Sequence, residues 1–348
     1  MTAEERPTTQ PRLLLLRAAA LVVLIYGLKS AAIIIVPILL AIFLAMLGMP
    51  PLFWLRRKGV PNALGVLAVV LGIGLILTLI GSLVGTSIAD FTSRVPHYQQ
   101  RLDEQLTSFL ARYDLSDRVG SIRDLIEPVD PGGAMDLAAR LLNSIGGVLN
   151  NAFLIAFTVI FILLEAWSIP AKLQLVAVSE DTHRSLRRFT QSLHRYIGLK
   201  TAMSMVTGLA VWVLVAVVGL DFPMLWGLLA FMLNYIPNIG SIIAAVPAVL
   251  LALVQLGGGE AILIAIGYLA INMLLGNFLE PRVMGRGMGL STLVVFLSLI
   301  FWGWVFGPVG MLLSVPLTMT LVIALESNPS TRQLAVLLRE VPRDQIPD

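Results

Sequence analysis

Apolar runs of membrane-crossing length recur along most of this 348-residue chain. A helix needs roughly 17 to 25 predominantly apolar residues to span a bilayer. Long runs occupy residues 31–55, 63–89, 141–165, 196–220 and 261–279, and shorter or interrupted runs occupy residues 13–28, 221–235, 241–256, 290–306 and 309–325. The pattern predicts an all-α integral membrane protein with about eight transmembrane helices plus broken or re-entrant helical hairpins, and with an exterior amphipathic helical insertion.

The composition supports the membrane class and argues against an enzyme. Hydrophobic residues make up 57% of the chain and charged residues 13%, whereas soluble domains carry about 25% charged residues. The absence of cysteine excludes thiolate catalysis and disulfides, and the P-loop, HExxH and GxSxG patterns are missing. The three histidines lack ligand partners at metal spacing. We therefore expect no enzymatic activity, no cofactor, no metal site and no nucleic-acid partner.

Lysine and arginine residues collect in connections that fall on one side of the membrane if every run crosses. These are Arg6, Arg12 and Arg17, then Arg56, Arg57 and Lys58, then the basic residues between 171 and 195, then Arg282 and Arg286. Short cytoplasmic connections are rich in basic residues. We therefore expect both termini in the cytoplasm and residues 90–140 outside.

Amphipathic segments separate the membrane spans. Leucines and aromatic residues recur at helical spacing between residues 95 and 118, and residues 171–195 form a basic face suited to anionic lipid. The predicted organisation is N-terminal spans at 1–89, an exterior insertion at 90–140, a span at 141–170, a cytoplasmic basic helix at 171–195, a C-terminal core with broken helices at 196–325 and a cytoplasmic tail at 326–348.

Residues 234–240 interrupt the helical pattern with proline and glycine. Unpaired backbone groups are tolerated at membrane depth only inside protein or beside a water-filled cavity. Such a break can direct helix ends at a ligand, which makes Asn234, Pro237, Asn238 and Gly240 candidate binding residues. The alternative is a plain cytoplasmic turn in which Asn234 and Asn238 cap the helices.

A second polar group lies near the end of the 261–279 run. Asn272 lies within the run, and Asn277 and Glu280 follow within about two turns, so their spacing lets them border one side of a helix. Pro281 is expected to stop this helix, because proline lacks the amide hydrogen that continues it.

Glu280 is close in sequence to two arginines, Arg282 and Arg286. It forms either a structural ion pair with one of them or a site that binds a proton, a cation or a polar substrate. Because residues 234–240 and 277–285 both carry backbone groups that need partners, we expect the two segments to line one polar cavity.

A third break joins the runs 290–306 and 309–325 at Gly307 and Pro308. Its minimum interpretation is a turn, beside which Trp302, Trp304 and Phe306 are interfacial aromatics. The candidate structural hinges are Pro281, Gly285, Gly307 and Pro308.

At these motifs the chain resembles the autoinducer-2 exporter family of bacterial membrane transporters. The resemblance is carried by YIPNIGSIIAAVPAVLLAL at residues 235–253 and by NFLEPRVMGRGMGLSTLVVFLSLIFWGWVFGPVGMLLSVPLT at residues 277–318. The family-typical positions are Pro237, Asn238, Gly240, Asn277, Glu280, Pro281, Arg282, Gly285, Gly307 and Pro308. Two departures are Thr292, where the family usually has proline, and the sequence Glu165-Ala166-Trp167, which replaces a common charged-Asp-Gly ending.

The resemblance implies a multi-span protein of the bacterial inner membrane that exports a small polar molecule. The eponymous members export a furanosyl quorum-sensing signal, and relatives have been assigned cation/proton antiport, which is the alternative function. It further implies contact with membrane lipid and a homo-oligomer, with a pentamer as the suggested form. We hypothesise that Glu280 couples transport to protons by alternating between an arginine partner and a protonated state. The alternative from another class is a non-transporting scaffold that acts through the exterior insertion.

Overall fold

Helices form almost all of the structure, because backbone amides and carbonyls in hydrocarbon must be bonded within the protein. The computed structural model describes residues 10–112, 151–166, 168, 172, 180–237, 239–284, 290–326 and 331–339. The helices are α1 (Gln10–Ser30), α2 (Ala32–Arg57), α3 (Asn62–Arg112), α4 (Ala152–Glu165), α5 (Glu180–Val218), α6 (Pro223–Leu233), α7 (Gly240–Gln255), α8 (Gly258–Ile271), α9 (Glu280–Met284), α10 (Thr292–Leu312), α11 (Ser314–Glu326) and α12 (Arg332–Leu337). A π-helical segment, Asn272–Leu279, joins α8 to α9.

Within the described residues, five helices are long and apolar enough to cross a membrane. They are Ala32–Arg57, Asn62–Phe91, Thr190–Val218, Gly258–Val283 and Thr292–Leu312, and shorter apolar helices are Ala18–Ser30, Ala152–Glu165, Pro223–Leu233, Gly240–Gln255 and Ser314–Glu326. The predicted all-helical membrane protein is confirmed. The number of complete crossings stays a prediction, because the shorter helices alone do not reach across the hydrocarbon of about 30 Å.

Helix α3 continues without a break past residue 89, where the sequence places the start of a separate insertion. Its 51 residues extend about 77 Å at 1.5 Å per residue. The candidate membrane span within α3 ends at Phe91. We name residues 92–112 the α3 extension; residues 113–140 of the predicted insertion lie outside the described residues.

Helices α6 and α7 form a hairpin whose tip is residues 234–239. They contain 11 and 16 residues, about 16 and 24 Å of helix, so neither crosses the hydrocarbon alone. The tip is tight at Gly240, where a Cβ atom would lie 1.7 Å from the carbonyl oxygen of Leu233. Only glycine fits this position.

Helix α10 is broken at Gly307, whose φ of 65° and ψ of −149° are non-helical and favour glycine. The chain folds back here, because a Cβ atom on Gly310 would lie 2.0 Å from the carbonyl oxygen of Trp302. Trp302 also donates from Nε1 to Thr318 Oγ1 at 2.9 Å, and Phe306 is buried. Trp302 and Phe306 therefore make contacts inside the hairpin and are not interfacial residues. Trp304 is exposed, and the Lys29 ammonium lies 3.8 Å from the centre of its ring.

Two glycines bring α5 and α6 into close contact. A Cβ atom on Gly208 would lie 2.7 Å from the carbonyl oxygen of Gly227, and one on Gly227 would lie 2.6 Å from Trp212 Cβ. Small residues at such crossings let helix backbones approach. The neighbouring Trp226 is fully buried, so α6 is packed firmly along α5.

We expect Gly227→Ala to destabilise the protein by about 1 to 3 kcal/mol, because the added methyl group meets the backbone of α5. The measurement is thermal unfolding of the detergent-purified protein. Gly72→Ala is the matched control, since a Cβ atom there meets nothing within 4 Å. Equal unfolding midpoints for the two variants would contradict the close contact.

Candidate functional site

The tip of the α6–α7 hairpin is bonded to α5. Asn234 is buried and donates from Nδ2 to Ser204 Oγ at 3.0 Å, and the Tyr235 hydroxyl donates to Thr201 Oγ1 at 2.8 Å. Asn234 is the C-cap residue of α6, and its side-chain amide also fixes the tip against a neighbouring span. Asn238 lies outside the described residues.

The helix after Asn272 widens into the π-helical segment and does not stop at Pro281. In an α-helix, the ring of Pro281 would clash with the carbonyl of Asn277, and that carbonyl would lose its amide partner. The wider register avoids this arrangement, and the Glu280 amide bonds instead to the Leu275 carbonyl, five residues earlier. The helix then continues through Pro281 to Met284. π-Helical turns of this kind are frequent at functional sites.

Glu280 forms an ion pair with Lys200 of α5. Lys200 Nζ donates to Glu280 Oε1 at 2.5 Å, and the two side chains are only 5% and 17% exposed. Lys200 lies within the apolar span Thr190–Val218. Charged groups at such positions are costly and mark functional sites in membrane proteins.

The expected partner Arg282 does not pair with Glu280. Residues two apart on a helix point to different sides, and the exposed Arg282 guanidinium carbon lies 3.6 Å from the centre of the Phe278 ring. Arg286 lies outside the described residues. Lys200 is absent from the residues that the sequence predicts for the site, although it is the only charged residue between positions 196 and 220 and so carried a detectable signal.

The hairpin tip and the π-helical segment line one cavity of about 230 Å³, as expected for the two breaks. Its wall is formed by Lys200, Asn234, Ile236, Pro237, Ser241, Asn272, Gly276, Asn277 and Glu280. The wall thus combines three amide side chains, those of Asn234, Asn272 and Asn277, with the ammonium of Lys200 and the carboxylate of Glu280. Each amide offers two donors and an acceptor, so the cavity suits a small solute that carries hydroxyl and carbonyl groups.

Other predicted residues lie away from the cavity. Gly240 shapes the tip, Arg282 and Pro281 are exposed, and Gly307 and Pro308 lie in the second hairpin. Gly285 lies outside the described residues.

Two further sequence features have no part in the cavity wall. Glu165 pairs locally with Lys172 and Ser168. In the part of the chain that is described, no group of three or more His, Cys, Asp or Glu residues is placed to hold a metal ion.

Apolar helices of crossing length, grouped around a polar cavity with a buried ion pair, define the class of multi-pass helical membrane transporters. Residues 18–329 match the family described as AI-2E family transporter. The chain belongs to this family of transporters, which are not enzymes.

Curated relatives cover nearly the whole chain. It is 43% identical to the AI-2 transport protein TqsA of Escherichia coli over 93% of this chain and 94% of the relative. It is 41% identical to a putative transport protein of Haemophilus influenzae over 94% and 96% of the two chains. It is 36% identical to the putative transport protein YhhT of Escherichia coli over 93% of each chain.

We expect Lys200→Met or Glu280→Gln alone to destabilise the protein by about 3 to 5 kcal/mol, because each leaves one buried charge without its partner. The double variant is expected to recover most of this loss. Thermal and denaturant unfolding in detergent give the three values.

The control is the exposed pair Glu165 and Lys172, 51% and 65% exposed, where Glu165→Gln and Lys172→Met are expected to change nothing measurable. Additive losses in the Lys200 and Glu280 double variant would contradict their energetic coupling.

Proposed function

We propose that this chain exports a small polar molecule of the AI-2 type across the bacterial inner membrane, and that the cavity between the hairpin tip and the π-helical segment is its solute site. The observation that carries the proposal is the Lys200–Glu280 pair, buried in an apolar bundle and exposed only to a polar cavity. The similarity to the AI-2 transport protein TqsA supports the substrate class.

Within the cavity, we assign solute recognition to Asn234, Asn272 and Asn277. Their amides exchange hydrogen bonds with water for hydrogen bonds with hydroxyl and carbonyl groups of the solute. A solute lacking these groups displaces water from the amides without replacing its hydrogen bonds, which disfavours its binding. Selectivity in this site therefore comes from polar groups and not from apolar contact.

The ion pair supplies a mechanism for proton coupling. When Glu280 is ionised, its carboxylate neutralises the charge of the Lys200 ammonium, whose Nζ lies 2.5 Å from Glu280 Oε1. In this state the Glu280 carboxylate also accepts a hydrogen bond from a solute hydroxyl. A proton that enters from the outside and binds Glu280 weakens the pair and removes this acceptor, so the solute is released there. Loss of the proton to the cytoplasm restores the pair, and proton entry thereby drives export. This is the proton-coupling hypothesis with Lys200 in place of an arginine.

Cation/proton antiport is the second candidate function, because carboxylate and amide oxygens line the same wall. These are the ligand types of hard cations. Flux of Na⁺ or K⁺ in place of an organic solute distinguishes the two candidates. A scaffold acting through the insertion at residues 90–140 instead tolerates loss of Glu280 and fails on deletion of that segment.

We expect Glu280→Gln to exchange AI-2 down its gradient but to lose accumulation driven by a pH gradient. The substitution removes the titrating group and keeps its shape. The measurement is AI-2 flux into proteoliposomes with and without an imposed pH gradient.

Glu260→Gln is the matched control for this variant, because Glu260 is an exposed carboxylate at the other end of the same helical run. Well-folded Glu280→Gln protein that retains gradient-driven accumulation would rule out the coupling role.

Membrane orientation follows from the distribution of basic residues and stays a prediction. We expect Lys58 on the cytoplasmic side with both termini, and the α3 extension outside. The chain has no cysteine, so Lys58→Cys and His97→Cys provide single labelling sites; both positions are exposed. An impermeant thiol reagent should label the His97 variant in intact cells and the Lys58 variant only in inverted vesicles. The reverse pattern would invert the proposed direction of export.

A homo-oligomer, with a pentamer as the form that the resemblance suggests, remains part of the proposal.

A further inference from the structure

A second polar cluster lies at the base of the α6–α7 hairpin, where the α3 extension meets it. Arg94 Nη1 donates to Asp221 Oδ2 at 2.9 Å, and the Tyr98 hydroxyl donates to the same oxygen at 2.7 Å. Arg101 Nη1 donates to the Gln255 carbonyl oxygen at 2.8 Å. We name Arg94, Tyr98 and Arg101, which lie on successive turns of one helix, the clasp.

The groups bound by the clasp are tied to each other. The Asp221 amide donates to Gln255 Oε1 at 2.9 Å, and Gln255 Nε2 donates to the Gly219 carbonyl at 3.2 Å. The Trp226 indole donates to the Asp221 carbonyl at 2.9 Å. The start of α6 and the end of α7 therefore form one unit, and the clasp holds both of its ends.

The connection into α6 is strained and is covered by the α3 extension. Phe222 has φ of 59° and ψ of 45°, a left-handed conformation that a bulky residue adopts only where its surroundings enforce it. Its ring centre lies 6.1 Å from that of Phe91, and the Arg94 guanidinium carbon lies 5.4 Å from the ring centre. These contacts hold the left-handed residue in place.

The Tyr98 side chain is buried against the same cluster. Its residue is 3% exposed, and burial, followed by the bond to Asp221, raises the pKa of the Tyr98 hydroxyl. Tyr98 therefore remains a hydrogen-bond donor to the carboxylate. The attraction of Asp221 likewise raises the pKa of Arg94.

The ion pair of the clasp is weak compared with the packing on the other side of α6. Arg94 and Asp221 are 53% and 29% exposed, and exposed ion pairs contribute little because water competes for both charges. The contact of Gly208 with Gly227 is instead a close approach of two backbones. We therefore expect α6 to separate from the α3 extension more readily than from α5.

The clasp and the cavity lie at opposite ends of the hairpin. The tip that lines the cavity is separated from the base by the length of α6, about 16 Å, and of α7, about 24 Å. The clasp joins the elements that flank the end of the hairpin facing away from the cavity. Transporters that alternate between two openings need such a closure at the far end.

We propose that the clasp closes the end of the hairpin away from the cavity, and that its release is a required step of transport. The proposal rests on the proposed transport function and adds a second site to it, at which no solute binds. The strained Phe222 favours release, because its left-handed backbone relaxes when the α3 extension moves away.

The test locks the clasp covalently. Arg101→Cys with Gln255→Cys gives two thiols in a chain without native cysteine, and a reducible bifunctional thiol reagent bridges them. With AI-2 as the probe, flux into proteoliposomes is expected to fall to that of protein-free liposomes after bridging, and reduction is expected to restore it.

The matched control carries the same reagent on Ser93→Cys with His97→Cys. Both residues are exposed and lie one turn apart on α3, so this bridge ties the α3 extension only to itself and leaves the clasp residues in place. Bridging the control pair is expected to leave flux unchanged.

A charge exchange tests the ion pair without any transport measurement. When Arg94→Asp is added to the protein that carries Arg101→Cys and Gln255→Cys, the thiol reagent is expected to bridge the two cysteines more slowly. Adding Asp221→Arg as well is expected to restore the bridging rate. A double exchange that stays as slow as the single one overturns the role of the pair.

The outcomes separate the two proposals. If AI-2 flux is undiminished after residues 101 and 255 are bridged, the role of the clasp in transport is overturned while the proposed export stands. Absence of AI-2 flux in the unmodified protein overturns the proposed function and, with it, the role of the clasp in transport.

Discussion

Buried charge is the constraint on which the C-terminal half of this structure depends. Lys200 lies in an apolar span, and its ammonium is neutralised by Glu280 from a different part of the chain. Removing either partner leaves the other uncompensated in a medium that solvates it poorly. The pair therefore fixes the end of the π-helical segment against α5, and the bond from Asn234 to Ser204 fixes the hairpin tip against the same helix.

Irregular backbone occurs in this protein where local chemistry permits it and a polar environment supports it. Pro281 makes the α-helical register unfavourable, and the π-helical register that replaces it lies beside the cavity. Gly240 and Gly307 each allow a reversal that a side chain would block, the first by its close approach to Leu233 and the second by its positive φ. Because free amides and carbonyls need partners in a membrane, the hairpin tip and the π-helical segment lie beside internal polar space, whereas the break at Gly307 lies in the second hairpin.

The two ends of the α6–α7 hairpin differ in how firmly they are held. At the tip, buried amide and hydroxyl groups bond to α5, where few water molecules compete with them. At the base, the ion pair of Arg94 with Asp221 is partly exposed, so that water also solvates its charges. This asymmetry gives the hairpin a stable end that shapes the cavity and a labile end that is suited to motion.

The sequence by itself determined the membrane class, the family and the backbone interruptions at residues 234–240 and at Gly307 and Pro308, because apolar length, proline and glycine act locally along the chain. It also led us to expect polar residues of the first interruption near Asn277 and Glu280, and Asn234 and Pro237 lie in the same cavity wall as these two residues. Only the tertiary structure decided that Glu280 pairs with Lys200 and that α3 continues past residue 89 to reach Asp221. These contacts join residues 80 and 127 positions apart, and the periodicity of one helix carries no information about which distant helix it will face.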